Sequence, residues 1–227
     1  MKLSIIIPAL NEEKSIGLLI KSIPKVYREV IVVDNGSSDK TSEVATRNGA
    51  KVIIEKNKGY GFACLKGINH LKENPPDIIV FLDGDYSDYP EEINKIVYPI
   101  YKNQVDFVVG SRVKSLRHKG SMTPQQIFGN KLACFLMKLL YKSTFTDLGP
   151  FRAIKWKTLK RLKMTDKTYG WTVEMQLKIL KKKIAYCEVP VRYRKRIGNS
   201  KVSGTLKGSV LAGIKIISWI FKYYFKK

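Results

Sequence analysis

Short apolar runs alternate with amphipathic stretches along the first half of the chain. After the first run, for example, Ile16, Leu19 and Ile20 recur at helical spacing. Strands are predicted at residues 3–7, 30–33, 51–54, 77–82 and 106–110. Helices are predicted at residues 14–23, from 38 or 39 to 48, from a glycine-containing loop to about 72, and at 90–102. Strands that alternate with helices predict right-handed βαβ units and an α/β fold around a mostly parallel sheet.

The second half has a less regular pattern. Residues 112–125 are predicted to form a basic loop. Helices are predicted at residues 126–141, 171–181 and 207–225, and strands at 184–189 and 191–196, on either side of Pro190. We expect one domain over residues 1–205, with halves 1–111 and 112–205, followed by an amphipathic helix over 206–227.

Carboxylates follow two of the predicted strands at the edge where parallel α/β sheets bind ligands. Asp34 ends the second strand, and Asp83, Gly84 and Asp85 follow the fourth. Two carboxylates one residue apart can bind Mg²⁺ or Mn²⁺, whose remaining positions then accept diphosphate oxygens. The simpler alternative is an Asp-Gly turn with hydrated carboxylates. The position directly after a buried strand favours the metal site.

Two further loops of the first half are candidates for nucleotide contacts. Asp34 can accept hydrogen bonds from a base or a ribose, while Asn35-Gly36 makes the turn and Ser38 or Asp39 caps the next helix. The segment from Asn57 to Gly61, which includes Lys58, is a weak glycine signal without a Rossmann or P-loop spacing. We interpret it as a flexible loop near the nucleotide.

Charge divides the chain into two unlike halves. The net charge is +23, yet residues 1–111 hold 14 basic and 15 acidic side chains, whereas residues 112–227 hold 28 and 4. A basic half indicates an anionic partner, which can be a phosphate, a membrane surface or a nucleic acid. A lysine-rich hydrated surface would not explain the near-neutral first half. We find no nucleic-acid-binding module and treat that class as a remote alternative.

Cysteine and histidine usage excludes two classes of site. Cys64, Cys134 and Cys187 are far apart, and the chain has two histidines. This pattern predicts neither a zinc site nor a disulfide framework, and it favours a reducing compartment. The first apolar run is too short for a signal peptide, and no run reaches the roughly 20 residues of a membrane span.

Acidic residues are rare in the basic half, so each is a candidate for chemistry. Glu174 can be a general base or a residue that positions an arginine, and the alternative is an ion pair on a helix surface. The cations after residue 191 match phosphate oxygens, unless they protect an edge strand. The 207–225 helix resembles an interfacial amphipathic helix, although packing against the core is the alternative.

The motifs taken together resemble the inverting GT-A glycosyltransferases of family 2, and in particular the group of dolichol-phosphate mannose or glucose synthases. The resemblance covers nearly the whole chain. It is carried by IIIPALNEE at 5–13, VVDNGSSD at 32–39, FLDGD at 81–85, GSR at 110–112, DLGPFR at 147–152, GWTVEMQ at 170–176, EVPVRYR at 188–194 and RIGNSK at 196–201. Each motif is moderately specific, and their common order is highly specific.

The resemblance implies a role for each matched residue. The nucleotide-sugar would contact Pro8, Asn11, Glu12, Asp34, Lys58, Gly61, Asp83, Gly84, Arg196, Ser200 and Lys201. Asp83 and Asp85 would hold the metal, with Asp85 also counted as catalytic beside Glu174 and Arg112. The acceptor would contact Arg117, Asp147, Arg152 and Trp171. Ser87 stands where the group often has glutamine, which puts the third protein ligand of the metal in doubt.

The activity implied is a single inverting transfer of a hexose from a nucleotide-sugar to a polyprenyl or dolichyl phosphate. UDP-glucose is favoured over GDP-mannose as the donor. An anionic acceptor oxygen would need little base assistance, so Glu174 would orient groups more than remove a proton. The alternative acceptors are a glycolipid, a lipid diphospho-sugar and a soluble alcohol. We expect a cytoplasmic protein, peripheral on an anionic inner membrane face, with a homo-oligomer left open.

Overall fold

The computed structural model describes residues 1–198 and 206–226. Within them a seven-stranded sheet has the order β3-β2-β1-β4-β6-β5-β7. Its strands are β1 Leu3–Ala9, β2 Glu29–Asp34, β3 Lys51–Ile54, β4 Ile78–Phe81, β5 Phe107–Ser111, β6 Arg152–Lys155 and β7 Tyr186–Pro190. Only β6 pairs antiparallel to its neighbours β4 and β5. The predicted mostly parallel α/β sheet is confirmed.

Helices cover both faces of this sheet. They are α1 Ile16–Ser22, α2 Thr41–Arg47, α3 Tyr60–His70, α4 Ile93–Tyr101, α5 Pro124–Tyr141, α6 Trp156–Leu162, α7 Trp171–Lys181 and α8 Leu206–Phe225, with short 3₁₀ helices at Pro90–Glu92 and Lys114–Leu116. The predicted helices lie within a few residues of these bounds. The start of α5 is fixed by a capping box, in which Thr123 and Gln126 bond each other's backbone N–H groups. The carboxylate of Asp39 accepts from Thr41 N at the start of α2.

Two elements of the second half differ from the prediction. Neither β6 nor α6 was predicted. β6 is four residues long and carries a charged residue at each end, so its sequence shows no strand pattern. The prediction of a strand at residues 191–196 is wrong. Within it only Tyr193 makes isolated bridges, to Asp88 and to Arg117, and Arg194 N donates to Ser87 O in the loop after β4.

The core lies in two layers because the strands are buried on both faces. Ile6 of β1 packs in one layer with α3, α5 and α7, while Ile5 and Ile7 pack in the other with α1 and α4. A parallel strand buried on both faces is apolar at nearly every position, which explains the continuous apolar runs in the sequence. The carboxyl ends of β1, β2 and β4 therefore meet at one rigid edge.

The C-terminal helix α8 packs against α5 and α7. Trp219 and Ile220 are buried in this contact, whereas Ile214 and Phe225 are more than half exposed. Packing against the core therefore applies to one face of this helix, while the interfacial role of its exposed face stays a prediction. Over residues 1–198 and 206–226, no helix combines the length and the apolar character that a bilayer crossing requires.

Candidate active site

A cavity of about 600 Å³ opens at the carboxyl edge of the sheet. Its first-half wall comes from the loops after β1, β3 and β4, and its second-half wall comes from α5, the 168–172 segment, the 193–196 segment and α8. Predicted site residues that line it are Pro8, Glu12, Lys58, Asp83, Gly84, Asp85, Arg112 and Arg196. The near-neutral and the basic halves of the chain thus face each other across one cavity.

Asp83 and Asp85 lie side by side in this cavity. The hydroxyl of Tyr60 donates to Asp83 Oδ1 at 3.0 Å. Burial, together with the charge of Asp85, raises the pKa of Asp83 to about 6. Asp85 is oriented by Ser87, whose backbone N and Oγ donate to Asp85 Oδ1 at 2.9 and 2.6 Å. Ser87 therefore orients Asp85, one of the two candidate metal-binding carboxylates, and its hydroxyl is used for that hydrogen bond.

The carboxylate pair fits a divalent cation. Its two members repel each other, as the raised pKa of Asp83 reports, and a hard cation with oxygen preference would relieve that repulsion. No group of three His, Cys, Asp or Glu side chains suited to a metal occurs in the part of the chain that the structure describes. A cation at Asp83 and Asp85 would thus need further oxygens from a ligand or from water.

Arg196 joins Asp85 to Glu12. Its guanidinium contacts Asp85 Oδ2 at 3.1 Å and Glu12 Oε1 at 2.8 Å. The backbone on either side of Arg196 is held against the 85–88 loop, where Arg194 N donates to Ser87 O and Ile197 N donates to Asp85 O. These contacts place a planar guanidinium, suited to phosphate oxygens, directly beside the carboxylate pair.

Arg112 is fixed on the other side of the cavity. Its Nε and Nη2 donate to Asp147 Oδ2 and Oδ1 at 2.8 and 2.6 Å, and its backbone N donates to Oδ2 at 2.7 Å. Burial opposes the charge of Arg112, but Asp147 outweighs it and the pKa rises. Asp147 is itself held through its backbone N by Glu188, at 3.0 Å, and through its carbonyl by Gln176, at 2.9 Å. The result is a cation of fixed orientation.

A family model described as "Glycosyl transferase family 2" matches residues 4–163. The chain belongs to glycosyltransferase family 2. It is 31% identical over 210 residues to an uncharacterised glycosyltransferase of Mycobacterium bovis, covering 92% of this chain and 93% of that one. It is 32% identical over 211 residues to the UDP-N-acetylglucosamine–dolichyl-phosphate N-acetylglucosaminyltransferase of Methanococcus voltae, covering 83% of this chain and 84% of that one.

The GT-A fold of this family 2 glycosyltransferase is shared with a solved structure. Glucosyl-3-phosphoglycerate synthase from Mycobacterium tuberculosis, crystallised with Mn²⁺, UDP and phosphoglyceric acid, superposes with a TM-score of 0.80 at 21% identity. The match covers 100% of this chain and 79% of that chain. The family and fold predicted from the sequence motifs are confirmed.

Three residues of this glycosyltransferase with predicted catalytic or acceptor roles lie in its interior. Glu174 is fully buried, accepts from Thr165 N and Asp166 N, and pairs with Lys178 Nζ at 2.7 Å. Its carboxylate does not line the cavity, so its position gives no support to a general base. The sequence did not reveal this buried position, because helical spacing does not show which buried face of a helix contacts the ligand.

Arg152 and Trp171 also point away from the cavity. The Arg152 guanidinium donates to backbone carbonyls, among them Gly149 and Thr172, and burial lowers its pKa to about 10. Trp171 is 1% exposed and packs edge-on against Phe81. Their positions support structural roles beneath the acceptor wall and give no support to direct acceptor contact.

The other predicted residues support the cavity from its rim. Asp34 accepts from Ser37 N at 2.8 Å and from Ser42 Oγ, and Asn11 Oδ1 accepts from Ser38 N at 2.8 Å. Arg117 contacts the Met122 sulfur at 3.2 Å. Gly61 permits a close approach, because a Cβ there would lie 2.2 Å from Asp166 O. Ser200 and Lys201 lie outside the described residues.

Several residues of the site were not foreseen. Asn35 holds the 55–59 loop, since its amide donates to Asn57 O at 2.7 Å and accepts from Gly59 N at 2.7 Å. Asp88 is fully buried, and neither carboxylate oxygen finds a hydrogen-bond partner within the described residues. Burial raises the pKa of Asp88 well above its usual range, and the charges of Asp83 and Asp85 add to this. No sequence pattern distinguishes it from an exposed carboxylate such as that of Glu91.

Proposed function

We propose that this enzyme transfers a hexose from a nucleotide-sugar to a polyprenyl or dolichyl phosphate, with inversion at the anomeric carbon. UDP-glucose is the favoured donor and GDP-mannose the other candidate, and Mg²⁺ or Mn²⁺ is the cofactor. One observation carries the proposal. The cavity holds the carboxylate pair together with Arg112 and Arg196, each fixed by a carboxylate, and α8 adds Ala212 and Ile216 as apolar residues of its wall.

The comparisons support the same reading. A relative that is 32% identical over most of both chains is named for transfer to dolichyl phosphate from a UDP-sugar. The glucosyl-3-phosphoglycerate synthase, which shares the fold of this chain, was crystallised with UDP and Mn²⁺. A divalent cation bound by Asp83 and Asp85 would neutralise charge on the nucleoside diphosphate leaving group.

The chain's own side chains divide the remaining tasks. We assign the nucleoside and its phosphates to Asn35 and Lys58 in the cavity wall and to Asp34 at its rim, and the diphosphate to Arg196 beside Asp85. Arg112, held rigid by Asp147, can position an acceptor phosphate without reorganising. A phosphate oxygen is already anionic, so in-line positioning does not require a strong base. This agrees with the buried position of Glu174.

We further propose that the enzyme works at an anionic membrane surface on the cytoplasmic side, as a peripheral protein. Exposed apolar residues occur on the outer faces of both α5 and α8, including Phe128, Phe135, Leu139, Ile214 and Phe225. Lysines such as Lys138 and Lys222 lie along the same helices. An apolar face bordered by cations is typical of helices that lie in a lipid interface.

A donor and acceptor panel tests the function. Purified enzyme is incubated with UDP-glucose, UDP-N-acetylglucosamine or GDP-mannose, with Mg²⁺ or Mn²⁺, and with either a polyprenyl phosphate or 3-phosphoglycerate. We expect a sugar–lipid product that requires metal. Transfer to 3-phosphoglycerate alone, or no lipid product from any donor, would overturn the acceptor assignment.

A further inference from the structure

A second cavity of about 560 Å³ lies between α5 and α8. It is lined almost entirely by apolar side chains, with Phe128 and Leu132 on α5 and Ile214 and Ile217 on α8. We call it the α5–α8 groove. Phe128 and Ile214 are 69% and 60% exposed, so the groove presents a large apolar surface outward. Such a surface is uncommon on a protein unless an apolar partner covers it.

The groove is continuous with the active-site cavity. Gln125, Gly129, Gly213 and Ile216 line both. A Cβ built on Gly129 or on Gly213 would meet no heavy atom within 4 Å. Both glycines therefore face open space at the junction, and the absence of side chains there keeps the two cavities connected.

The two connected cavities have opposite character. The inner one contains Lys58, Arg112 and Arg196, which match an anionic head group, whereas the groove offers apolar carbon. A molecule that fills both must carry a phosphate at one end and a hydrocarbon chain next to it. A soluble sugar or a small phosphorylated acid would leave the groove uncovered.

We propose that the α5–α8 groove binds the hydrocarbon chain of the acceptor, and that Gly129 and Gly213 form the passage through which this chain enters the active site. The acceptor reaches the cavity sideways, from the lipid phase, between the two helices. This inference rests on the proposed function and deepens it, because it names the part of the acceptor that the enzyme selects. It predicts that the chain nearest the phosphate contributes directly to acceptor affinity.

Filling the passage tests the proposal. Gly213→Phe and, separately, Gly129→Leu each place a side chain at the junction, where the new Cβ meets no heavy atom within 4 Å. We expect each to raise the KM for a long-chain polyprenyl phosphate at least tenfold, with the affinity for the UDP-sugar unchanged. Gly213→Ala should give a smaller rise, because its methyl group fills less of the passage. Asn94→Phe is the control, since Asn94 is exposed on α4 and lines neither cavity.

The outcomes separate this inference from the proposed function. If the wild-type enzyme makes the sugar–lipid and both filled variants make it with an unchanged KM, the groove inference is wrong and the function stands. If the wild-type enzyme makes no lipid product, both the groove inference and the proposed function are wrong. Thermal melting and UDP-sugar binding verify that each variant is folded. Two substitutions on different helices ensure that one misfolded variant does not decide the result.

Discussion

Tyr60, in the first turn of α3, donates its hydroxyl hydrogen to the Asp83 carboxylate at the end of β4 across 3.0 Å. This hydrogen bond lowers the pKa of Asp83, against the burial and the Asp85 charge that raise it to about 6. It joins the loop after β3 to the carboxylate pair. Asn35 and the close contact of Gly59 and Gly61 with the 166–167 backbone hold that loop in place.

We expect Tyr60→Phe to move the acid limb of the kcat/KM profile to higher pH. Without the hydrogen bond the pKa of Asp83 rises, so a smaller fraction of Asp83 is ionised and able to bind metal near neutral pH. A hydrogen bond to a charged group contributes about 1.5–3 kcal/mol, which would raise the pKa by roughly 1 to 2 and lower metal-dependent activity at pH 7 by about two- to tenfold. Tyr101→Phe, at the end of α4, is the control. An unchanged pH profile would contradict the assigned role.

Asp85→Ala should abolish metal-dependent transfer. The substitution removes one of the two carboxylates and frees Arg196 from its contact, so kcat should fall by about a hundredfold or more. Adding a chelator to the wild-type enzyme should also abolish transfer. Restoring Mn²⁺ should recover the activity of the chelated wild-type enzyme but not that of the Asp85 variant. Asp77→Asn, whose carboxylate binds Lys2 N at the opposite edge of the sheet, serves as the control. Full activity of the Asp85 variant would refute the metal role.

Asp147→Asn should destabilise the fold and weaken acceptor use together. It leaves the buried Arg112 guanidinium without its carboxylate, and breaking a buried pair costs about 3–5 kcal/mol. Urea unfolding measures this loss, and acceptor KM measures the misplacement of Arg112. Glu43→Gln breaks an exposed pair with Arg47 and should change the free energy of unfolding by less than about 1 kcal/mol. Equal effects of the two substitutions would show that Arg112 is not held as described.

Glu174→Gln should lower stability while kcat per folded enzyme is retained. The variant loses the pair with Lys178 and an acceptor for the N–H groups of Thr165 and Asp166, and we expect about 2 kcal/mol less free energy of unfolding. Denaturant unfolding and active-site titration separate the two quantities. A fall of kcat to background with normal donor binding would instead identify Glu174 as a base.

Phe225→Ser combined with Ile214→Ser should weaken binding to anionic vesicles. Both side chains are exposed on α8, so the change removes apolar contact without opening the core. Vesicle co-sedimentation should show reduced binding of the variant, and raising the salt concentration should weaken wild-type binding because the flanking lysines attract anionic lipid. Binding to neutral and anionic vesicles with equal affinity would argue against the electrostatic part.

The sequence by itself determined the sheet and one side of the site. Strands buried on both faces are apolar throughout, so their positions were readable, and a polar residue directly after such a strand must lie at the ligand-binding edge. Asp83 and Asp85 were therefore predictable. β6 was not, because a four-residue strand with a charged residue at each end leaves no periodic pattern.

Only the tertiary structure decided which side chains of the second half face the cavity. Glu174, Arg152 and Trp171 match family motifs, yet all three are buried in the interior, and Trp171 packs there against Phe81 of β4. The junction at Gly129 and Gly213 likewise joins residues 84 positions apart in the chain. Local periodicity reports that a face is apolar, but contacts between distant elements decide whether that face is core, membrane surface or binding site.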